Sequence, residues 1–148
     1  MPQARSISHI GFPWLYSRKK LMLWHKLIAT IEPHFRDVGE VSSFYYDSLL
    51  DISKKWEKQS AKRLTIEFII KVLKYEGRLQ PLNRCAICKQ NIENNISLVD
   101  GFLPTHSSCS MSEPMNKRAI IELFENSSTI LIDDDIIDRL YLIALKSF

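Results

Sequence analysis

Residues 85–109 have the sequence CAICKQNIENNISLVDGFLPTHSSC, which contains all three cysteines of the chain and one of its four histidines. The four residues form two pairs of equal spacing, Cys85 with Cys88 and His106 with Cys109, and seventeen residues separate the pairs. Each pair can present two ligands from one tight turn, and a short excursion can bring the pairs together. Three thiolates and one imidazole complete a tetrahedral shell, so the spacing predicts a structural zinc site.

Two other interpretations of the cysteines remain open at this stage. Cysteine is often only a small buried apolar residue, and a Cys-x2-Cys pair can be a redox centre. A redox pair would open a helix directly after a strand, whereas Pro81 and Asn83 precede Cys85 and a polar stretch follows Cys88. The local sequence therefore favours the metal site.

The excursion between the two pairs has the pattern of a short β-hairpin. Residues 96–99 alternate loosely like a strand, Asp100-Gly101 is a typical hairpin turn, and residues 102–104 lead back to the second pair. A hairpin of this length is marginal alone, so metal binding would supply part of its folding free energy. We therefore expect a zinc-binding flap over residues 84–110.

Apolar residues recur at helical spacing through most of the remaining chain. The pattern predicts helices at about residues 18–31, 41–58, 62–75, 116–125 and 134–146. Ser17 is placed to cap the first helix, Pro33 to disturb its end and Gly77 to end the third. The third helix is apolar nearly all round, which is typical of a central helix. We expect a mainly α fold, a bundle of about five helices with a small inserted zinc-binding β-hairpin flap.

Length and composition indicate one domain, because the chain has 148 residues of which 45% are hydrophobic. Residues 1–16 contain the breakers Gly11 and Pro13 and are expected to be an entry segment, followed by a single helical domain over residues 17–148. No run of eighteen apolar residues is present, so no membrane contact is predicted. Three cysteines with metal spacing suit a reducing cytoplasm.

The charge is distributed unevenly along the chain. Residues 1–63 carry eleven Lys and Arg against six Asp and Glu, whereas residues 110–148 carry four against seven. A basic N-terminal half suggests an anionic partner, either nucleic acid or an acidic peptide, although ordinary solvated helix surface has the same pattern. The candidate contact residues are Arg18, Lys19, Lys20, Lys54, Lys55, Lys58, Lys62 and Arg63.

No catalytic set is evident in the sequence. Residues 133–135 are three aspartates, but negative charge at the N-terminus of a helix explains them without a metal. There is no glycine-rich phosphate loop and no nucleophile with a base beside it. An HNH-like nuclease would need a catalytic histidine with Asn or His partners on a ββα unit, which the pattern lacks. We expect a protein that is not an enzyme and has no small-molecule substrate.

Several segments resemble the RecO family of bacterial recombination mediators. Residues 74–88, KYEGRLQPLNRCAIC, are similar to the place where a buried helix of that family ends in glycine and a Leu- and Pro-containing link reaches a Cys-x2-Cys pair. Residues 101–106, GFLPTH, residues 11–16, GFPWLY, and the Leu- and Tyr-rich closing helix also resemble RecO. The resemblance covers nearly the whole chain.

The resemblance implies a role in DNA repair and DNA recombination without catalysis. RecO proteins bind single-stranded DNA and the single-strand-binding protein, join RecR and assist RecA loading. Their helical part contacts the acidic, apolar tail of the single-strand-binding protein, which requires a basic rim around an apolar pocket. These partners, and a cytoplasmic, nucleoid-associated location in a bacterium, are what the resemblance implies.

Two features of the sequence depart from the RecO pattern. The family usually has four cysteines, or none, at the metal site, and here His106 matches the third ligand. RecO proteins also begin with an oligonucleotide-binding-type β-barrel, and this sequence has no such strand-rich segment. The chain would then be a fragment, have a misplaced start or have lost the barrel, and the resemblance is to the helical and zinc-binding region of RecO. The alternative function is a zinc-stabilised adaptor that acts through protein contacts without binding DNA.

Overall fold

The computed structural model describes residues 11–36 and 39–148. Within these ranges the chain has six helices and one three-stranded antiparallel sheet, so the predicted mainly α fold with a small β-hairpin is confirmed. No helix in the described ranges is long and apolar enough to cross a membrane. The helices are α1 (Arg18–Phe35), α2 (Ser43–Lys55), α3 (Ala61–Tyr75), α4 (Ser107–Ser110), α5 (Lys117–Asn126) and α6 (Asp134–Ala144), and the strands are β1 (Asn95–Val99), β2 (Leu103–Thr105) and β3 (Met115–Asn116).

Helix α3 is the centre of the bundle. Nine of its fifteen residues are buried, and it packs against α1, α2, α5 and α6. Burial of each Leu, Ile or Phe side chain contributes about 1.5–3 kcal/mol, so this helix supplies a large share of the hydrophobic stabilisation. The apolar residues on all its faces have partners on four sides, as the sequence pattern predicted.

Three tryptophans join the segment before α1 to α1 and α2. The ring of Trp24 lies 5.0 Å from that of Trp14 and 5.1 Å from that of Trp56, measured between centroids. The indole N–H of Trp14 donates to the Ser53 carbonyl at 2.8 Å, and that of Trp56 donates to the Lys20 carbonyl at 3.2 Å. Buried indoles need such acceptors. The described part of the predicted entry segment, residues 11–16, therefore packs into the helical domain.

Helix α1 begins as predicted and ends later than predicted. The Ser17 hydroxyl accepts from the Lys20 backbone N–H at 3.5 Å, which caps the first turn. The prediction that Pro33 disturbs the end of the helix near residue 31 is wrong, since α1 continues to Phe35. The Phe35 ring packs edge-on against Tyr45, with centroids 4.8 Å apart, and this contact holds the last turn.

Gly77 ends α3 by adopting a left-handed conformation with φ +68°. Its N–H donates to the Lys74 carbonyl at 3.1 Å, and the next N–H, that of Arg78, donates to the Leu73 carbonyl at 2.8 Å. These two bonds form a Schellman motif, which satisfies carbonyls at the helix end and turns the chain toward the metal-ligand region.

Glu76 connects the ends of three helices. Its carboxylate accepts from Tyr45 at 2.8 Å, contacts His34 Nε2 at 2.6 Å and lies 3.3 Å from an Arg78 guanidinium nitrogen. Burial raises the pKa of the Glu76 carboxyl, but the hydrogen bonds from Tyr45 and His34 outweigh it and lower that pKa. Burial and the bond to Glu76 raise the pKa of Tyr45 to about 12.

The sheet forms the flap that carries the metal-ligand residues. β1 lies between β2 and β3, with Ser97 opposite Thr105 and Ile96 opposite Met115. β3 lies outside the predicted flap range of 84–110, so the flap continues into the start of α5. The apolar face of the sheet packs against α6, with Ile96 and Leu98 buried.

We predict that Gly77→Ala lowers the free energy of unfolding by about 1 kcal/mol, because a Cβ disfavours the left-handed conformation. No atom lies within 4 Å of the added Cβ, so the backbone conformation alone sets the cost. Gly39→Ala is the matched control, since its Cβ also meets no atom and its φ is not positive. Urea unfolding measures both variants, and equal stabilities would contradict the Schellman assignment.

We predict that Glu76→Gln destabilises the protein at pH 7 by about 1–3 kcal/mol, because charged hydrogen bonds are lost. A carboxyl whose folded pKa lies below its usual 4.5 stabilises the fold above pH 4.5, and this stabilisation disappears as the pH falls below that value. The stability difference between wild type and variant should therefore shrink below pH 4.5. Glu40→Gln, at an exposed position, is the control, and a pH-independent difference would contradict the prediction.

Candidate metal centre

The four predicted ligand residues converge at one end of the flap. The side-chain atoms of Cys85, Cys88, His106 and Cys109 all lie within 4.8 Å of one another, so one metal ion could contact all four. His106 Nδ1 lies 3.3 Å from the Cys88 sulfur and 3.8 Å from the Cys109 sulfur. The cluster is graded in exposure, since Cys85 is buried, Cys109 is partly buried and Cys88 is exposed.

The first ligand pair is held by a tight turn. The Cys85 N–H donates to the Gln90 carbonyl at 2.9 Å, and the Lys89 N–H donates to the Cys85 carbonyl at 3.0 Å. Lys89 has a φ of +63°, which lets the chain reverse after Cys88. The Ala86 N–H donates to the carbonyl of Pro104 at 2.8 Å and so attaches this turn to β2.

The second ligand pair lies at the start of the one-turn helix α4. His106 is the residue before the helix, and its carbonyl accepts from the Cys109 N–H at 3.1 Å. This turn places both side chains on the same side of the chain. The Thr105 hydroxyl donates to the Ser110 hydroxyl at 2.9 Å and joins the end of β2 to α4.

A backbone carbonyl determines which nitrogen of His106 faces the sulfurs. Nε2 lies 3.0 Å from the Asn91 carbonyl oxygen, which can only accept, so Nε2 carries the proton. In the neutral imidazole Nδ1 then carries no proton, and it faces Cys88 and Cys109. A histidine that donates its second N–H to a carbonyl is the usual arrangement around a metal ligand. The Asn91 carbonyl, followed by the Cys88 sulfur, raises the pKa of His106.

The electrostatics of the cluster favour a cation among the sulfurs. Burial raises the pKa of the Cys85 thiol, but backbone N–H groups of Cys88, His106 and Ile87 outweigh burial and bring it to about 6. Burial and the neighbouring sulfurs of Cys88 and Cys85 raise the pKa of Cys109. Several thiolates at this spacing repel one another, and a bound divalent cation removes that repulsion.

Backbone groups complete the centre, and sequence reasoning did not identify them. The carbonyls of Asn91 and Pro104 orient His106 and the first ligand pair. Every residue carries a carbonyl, so no residue type in the sequence marks these two positions.

Half of the candidate contact cations are neutralised within the chain. Lys62 and Arg63 at the start of α3 bind carboxylates of α6, so the basic and acidic parts of the sequence partly pair with each other. The four ion pairs are Lys20–Glu57 at 2.8 Å, Lys55–Asp51, Lys62–Asp138 and Arg63–Asp134, the last three at 2.7 Å.

The other four candidates, Arg18, Lys19, Lys54 and Lys58, are exposed and have no ion pair within the described residues. The Lys20–Glu57 contact brings the start of α1 beside the end of α2. We call these four cations the α1–α2 edge. The first turn of α1 contains no acidic residue, so its cations add to the positive end of the helix dipole.

A basic groove that the sequence did not predict runs between the α3–flap link and α5. It consists of two adjoining depressions of about 530 and 890 Å³ that share Gln80, Pro81 and Asn83. We call it the flap groove. Its apolar lining is provided by Leu79, Pro81, Leu82, Leu103, Ile121 and Phe124. Its charged lining consists of Lys74, Arg84, Lys89, Lys117 and a single carboxylate, Glu125.

Neutral backbone carbonyls hold the four cations of the flap groove. Lys74 donates to the carbonyl of Glu125, and Lys117 donates to the carbonyls of Ile92 and Glu93. The side chain of Lys89 donates to Ala86 at 2.6 Å, and that of Arg84 donates to the Lys89 carbonyl at 3.0 Å.

This mode of anchoring leaves the positive charge of the groove available. A carbonyl accepts a hydrogen bond but carries no net charge, whereas a carboxylate would neutralise the cation. The side chains are therefore held in position without a carboxylate that would neutralise their charge. The four residues are distant in sequence, which is why no charge cluster predicted them.

Comparison with known proteins does not identify a function for the metal centre, the α1–α2 edge or the flap groove. A scan against protein-family models and a search of curated proteins both found no match. The interpretation of the metal centre therefore rests on its own geometry, which shows that four residues can bind a metal ion and does not identify the metal.

We predict that Cys88→Ser removes tightly bound metal and lowers the unfolding midpoint by about 10 °C or more, because binding free energy contributes to folding. Ser108→Ala, in α4 but outside the cluster, is the control and should retain metal and stability. Elemental analysis and thermal unfolding measure both effects. Equal metal content in the two variants would contradict the assignment of Cys88 as a ligand.

Proposed function

We propose that the protein is a DNA-repair and recombination mediator of RecO type, stabilised by a structural zinc ion and without enzymatic activity. The observation that carries the proposal is the continuous path from buried α3, through the turn at Gly77 and a short link, into a Cys3His cluster on a flap that packs against α6. This order of elements is the order in the segments that resemble RecO.

Zinc is the metal that suits this set of ligand atoms. In a tetrahedral zinc site with three sulfurs and one nitrogen, neighbouring sulfur and nitrogen atoms are about 3.5 Å apart. The two distances from His106 Nδ1, 3.3 Å to Cys88 and 3.8 Å to Cys109, bracket this value. Four protein ligands leave no open position for water, which supports a structural role rather than a catalytic one.

The α1–α2 edge supports contact with single-stranded DNA. Its four cations can bind phosphates, and Tyr16, which is 95% exposed, lies two residues before Arg18. An exposed aromatic ring beside cations is suited to base stacking with phosphate contact. The edge would use Arg18, Lys19, Lys54 and Lys58, whereas Lys20 would have a positioning role through Glu57.

The flap groove supports contact with an acidic peptide, which the RecO resemblance identifies as the tail of the single-strand-binding protein. Its apolar lining accepts apolar side chains, and four cations against one carboxylate attract negative charge. The resemblance to RecO extends this proposal to three further points. The protein would bind RecR, assist RecA loading and be associated with the nucleoid in the cytoplasm.

One observation favours the alternative, a zinc-stabilised adaptor that does not bind DNA. Four of the eight candidate cations are neutralised by carboxylates, which reduces the positive field on α1 and α2. The flap groove keeps its charge in this alternative. The two functions therefore differ in DNA binding and share the peptide contact.

We predict that two matched double substitutions affect different ligands, one weakening binding of DNA and the other weakening binding of an acidic peptide. Lys54→Gln with Lys58→Gln should weaken binding of a labelled oligo-dT about fivefold to tenfold, and Lys74→Gln with Lys117→Gln should weaken binding of an acidic, apolar peptide by a similar factor. Each pair removes two charges and serves as the control for the other. Fluorescence anisotropy at about 50 and 300 mM salt measures both, and DNA affinity should fall more steeply with salt.

Three outcomes would contradict parts of this proposal. Peptide binding without any DNA binding would leave the adaptor function. Binding of neither ligand by metal-loaded protein would reject both functions. DNA cleavage that requires metal and disappears in folded His106→Ala would show that the protein is an enzyme.

A further inference from the structure

The three sulfurs of the metal centre differ in how far they are exposed to solvent and oxidants. They should therefore differ in how readily they are oxidised. Cys85 is 0% exposed, and the backbone N–H of His106 points at its sulfur at 3.5 Å. Burial excludes oxidants from this sulfur, so Cys85 is the least accessible of the three to oxidation.

The sulfurs of Cys88 and Cys109 are less protected by burial than that of Cys85. Within residues 11–36 and 39–148, the hydrogen-bonding contacts of these two sulfurs with a nitrogen are those with the His106 ring. Cys88 is exposed and Cys109 is partly exposed, and their sulfurs lie within 4.8 Å of each other. A disulfide requires sulfurs about 2.05 Å apart, so α4 or the first turn must move to bring them together.

We propose that Cys88 and Cys109 form an oxidation site for hydroperoxides, and that their disulfide releases the metal while Cys85 stays reduced. The inference rests on the proposed zinc centre and goes beyond its structural role. It assigns a modification site and makes the flap sensitive to oxidants.

The reaction balances with one hydroperoxide for each disulfide. The Cys88 thiolate attacks the outer peroxide oxygen, the O–O bond breaks, and an alkoxide or hydroxide leaves while Cys88 becomes a sulfenic acid. The Cys109 thiolate then attacks the Cys88 sulfur, the S–O bond breaks, and hydroxide leaves. The two thiolates lose two electrons, the peroxide gains them, and water supplies the protons of the leaving groups. Cys85 and His106 alone remain as ligands, too few to retain the ion.

Loss of the metal also affects the flap groove, because the two sites share residues. Cys85, Ala86 and Leu103 line the larger depression, and Ala86 is tied to β2 by its bond to Pro104. The Cys88–Cys109 disulfide would draw the first ligand pair toward α4, so this wall of the groove would change position. Oxidation would therefore reduce acidic-peptide binding without modifying any cation of the groove.

The experiment uses the wild-type, metal-loaded chain treated with hydrogen peroxide. Metal content is measured first, since less than one equivalent would show that the zinc proposal has failed. Release of zinc is followed with a chromogenic chelator, remaining thiols are alkylated, and the protein is digested with trypsin without reduction. Cleavage after Arg84, Lys89 and Lys117 separates peptide 85–89, which carries Cys85 and Cys88, from peptide 90–117, which carries Cys109.

The expected result is zinc release in step with a cross-link between the two peptides, with the alkyl group on Cys85. Met111, which is 96% exposed, is an internal reference and should be oxidised more slowly than Cys88. A disulfide inside peptide 85–89, alkylated Cys88, or zinc retained after Met111 is oxidised would each overturn the inference while leaving the zinc proposal intact.

Discussion

Three sulfur atoms and one imidazole nitrogen lie within 4.8 Å of one another at the end of the flap, and one metal ion could contact all four. The hairpin that carries them has a return strand of three residues, too short to be stable alone. The flap groove uses the first ligand pair as its wall, and β2 is tied to that pair through the Ala86–Pro104 hydrogen bond. The metal-ligand residues, β2 and the flap groove are therefore structurally connected.

The stability of the helical half depends mainly on the burial of apolar side chains around α3. Four helices cover it, and three tryptophans attach the segment before α1 to the ends of α1 and α2. Gly77 connects the two halves, because only a residue that tolerates φ +68° can end α3 and direct the chain straight into the link. Removal of metal should thus disturb the flap and groove more than the packing of α1, α2 and α3.

The sequence predicted the features that residue types and spacing encode. Helical periodicity identified the five longer helices, Asp100-Gly101 identified the hairpin, and equal spacing identified the four metal-centre residues. Features that depend on backbone groups could not be predicted from residue types. Two examples are the Asn91 carbonyl that orients His106 and the pairing of β3 with β1. Pro33 was misjudged because packing of the last turn of α1 outweighs the local preference of proline.

The location of positively charged surface was the property least predictable from the sequence. Whether a Lys or Arg side chain contributes to such a surface depends on whether a carboxylate neutralises it in the fold. Lys62 and Arg63 belong to the basic part of the sequence but face carboxylates of α6. Lys74 and Lys117 are far apart in sequence, yet both line one depression and donate to backbone carbonyls, which carry no net charge. The positive surfaces of the protein are therefore selected by tertiary contacts rather than by runs of lysine and arginine.

The most direct test of this account is X-ray absorption at the zinc edge of the purified, metal-loaded protein. The account predicts a first shell of three sulfurs at about 2.3 Å and one nitrogen at about 2.0–2.1 Å, with no oxygen ligand. A shell with fewer than three sulfurs, or one that contains water oxygen, would contradict the closed Cys3His centre on which the flap, the groove and the proposed function depend.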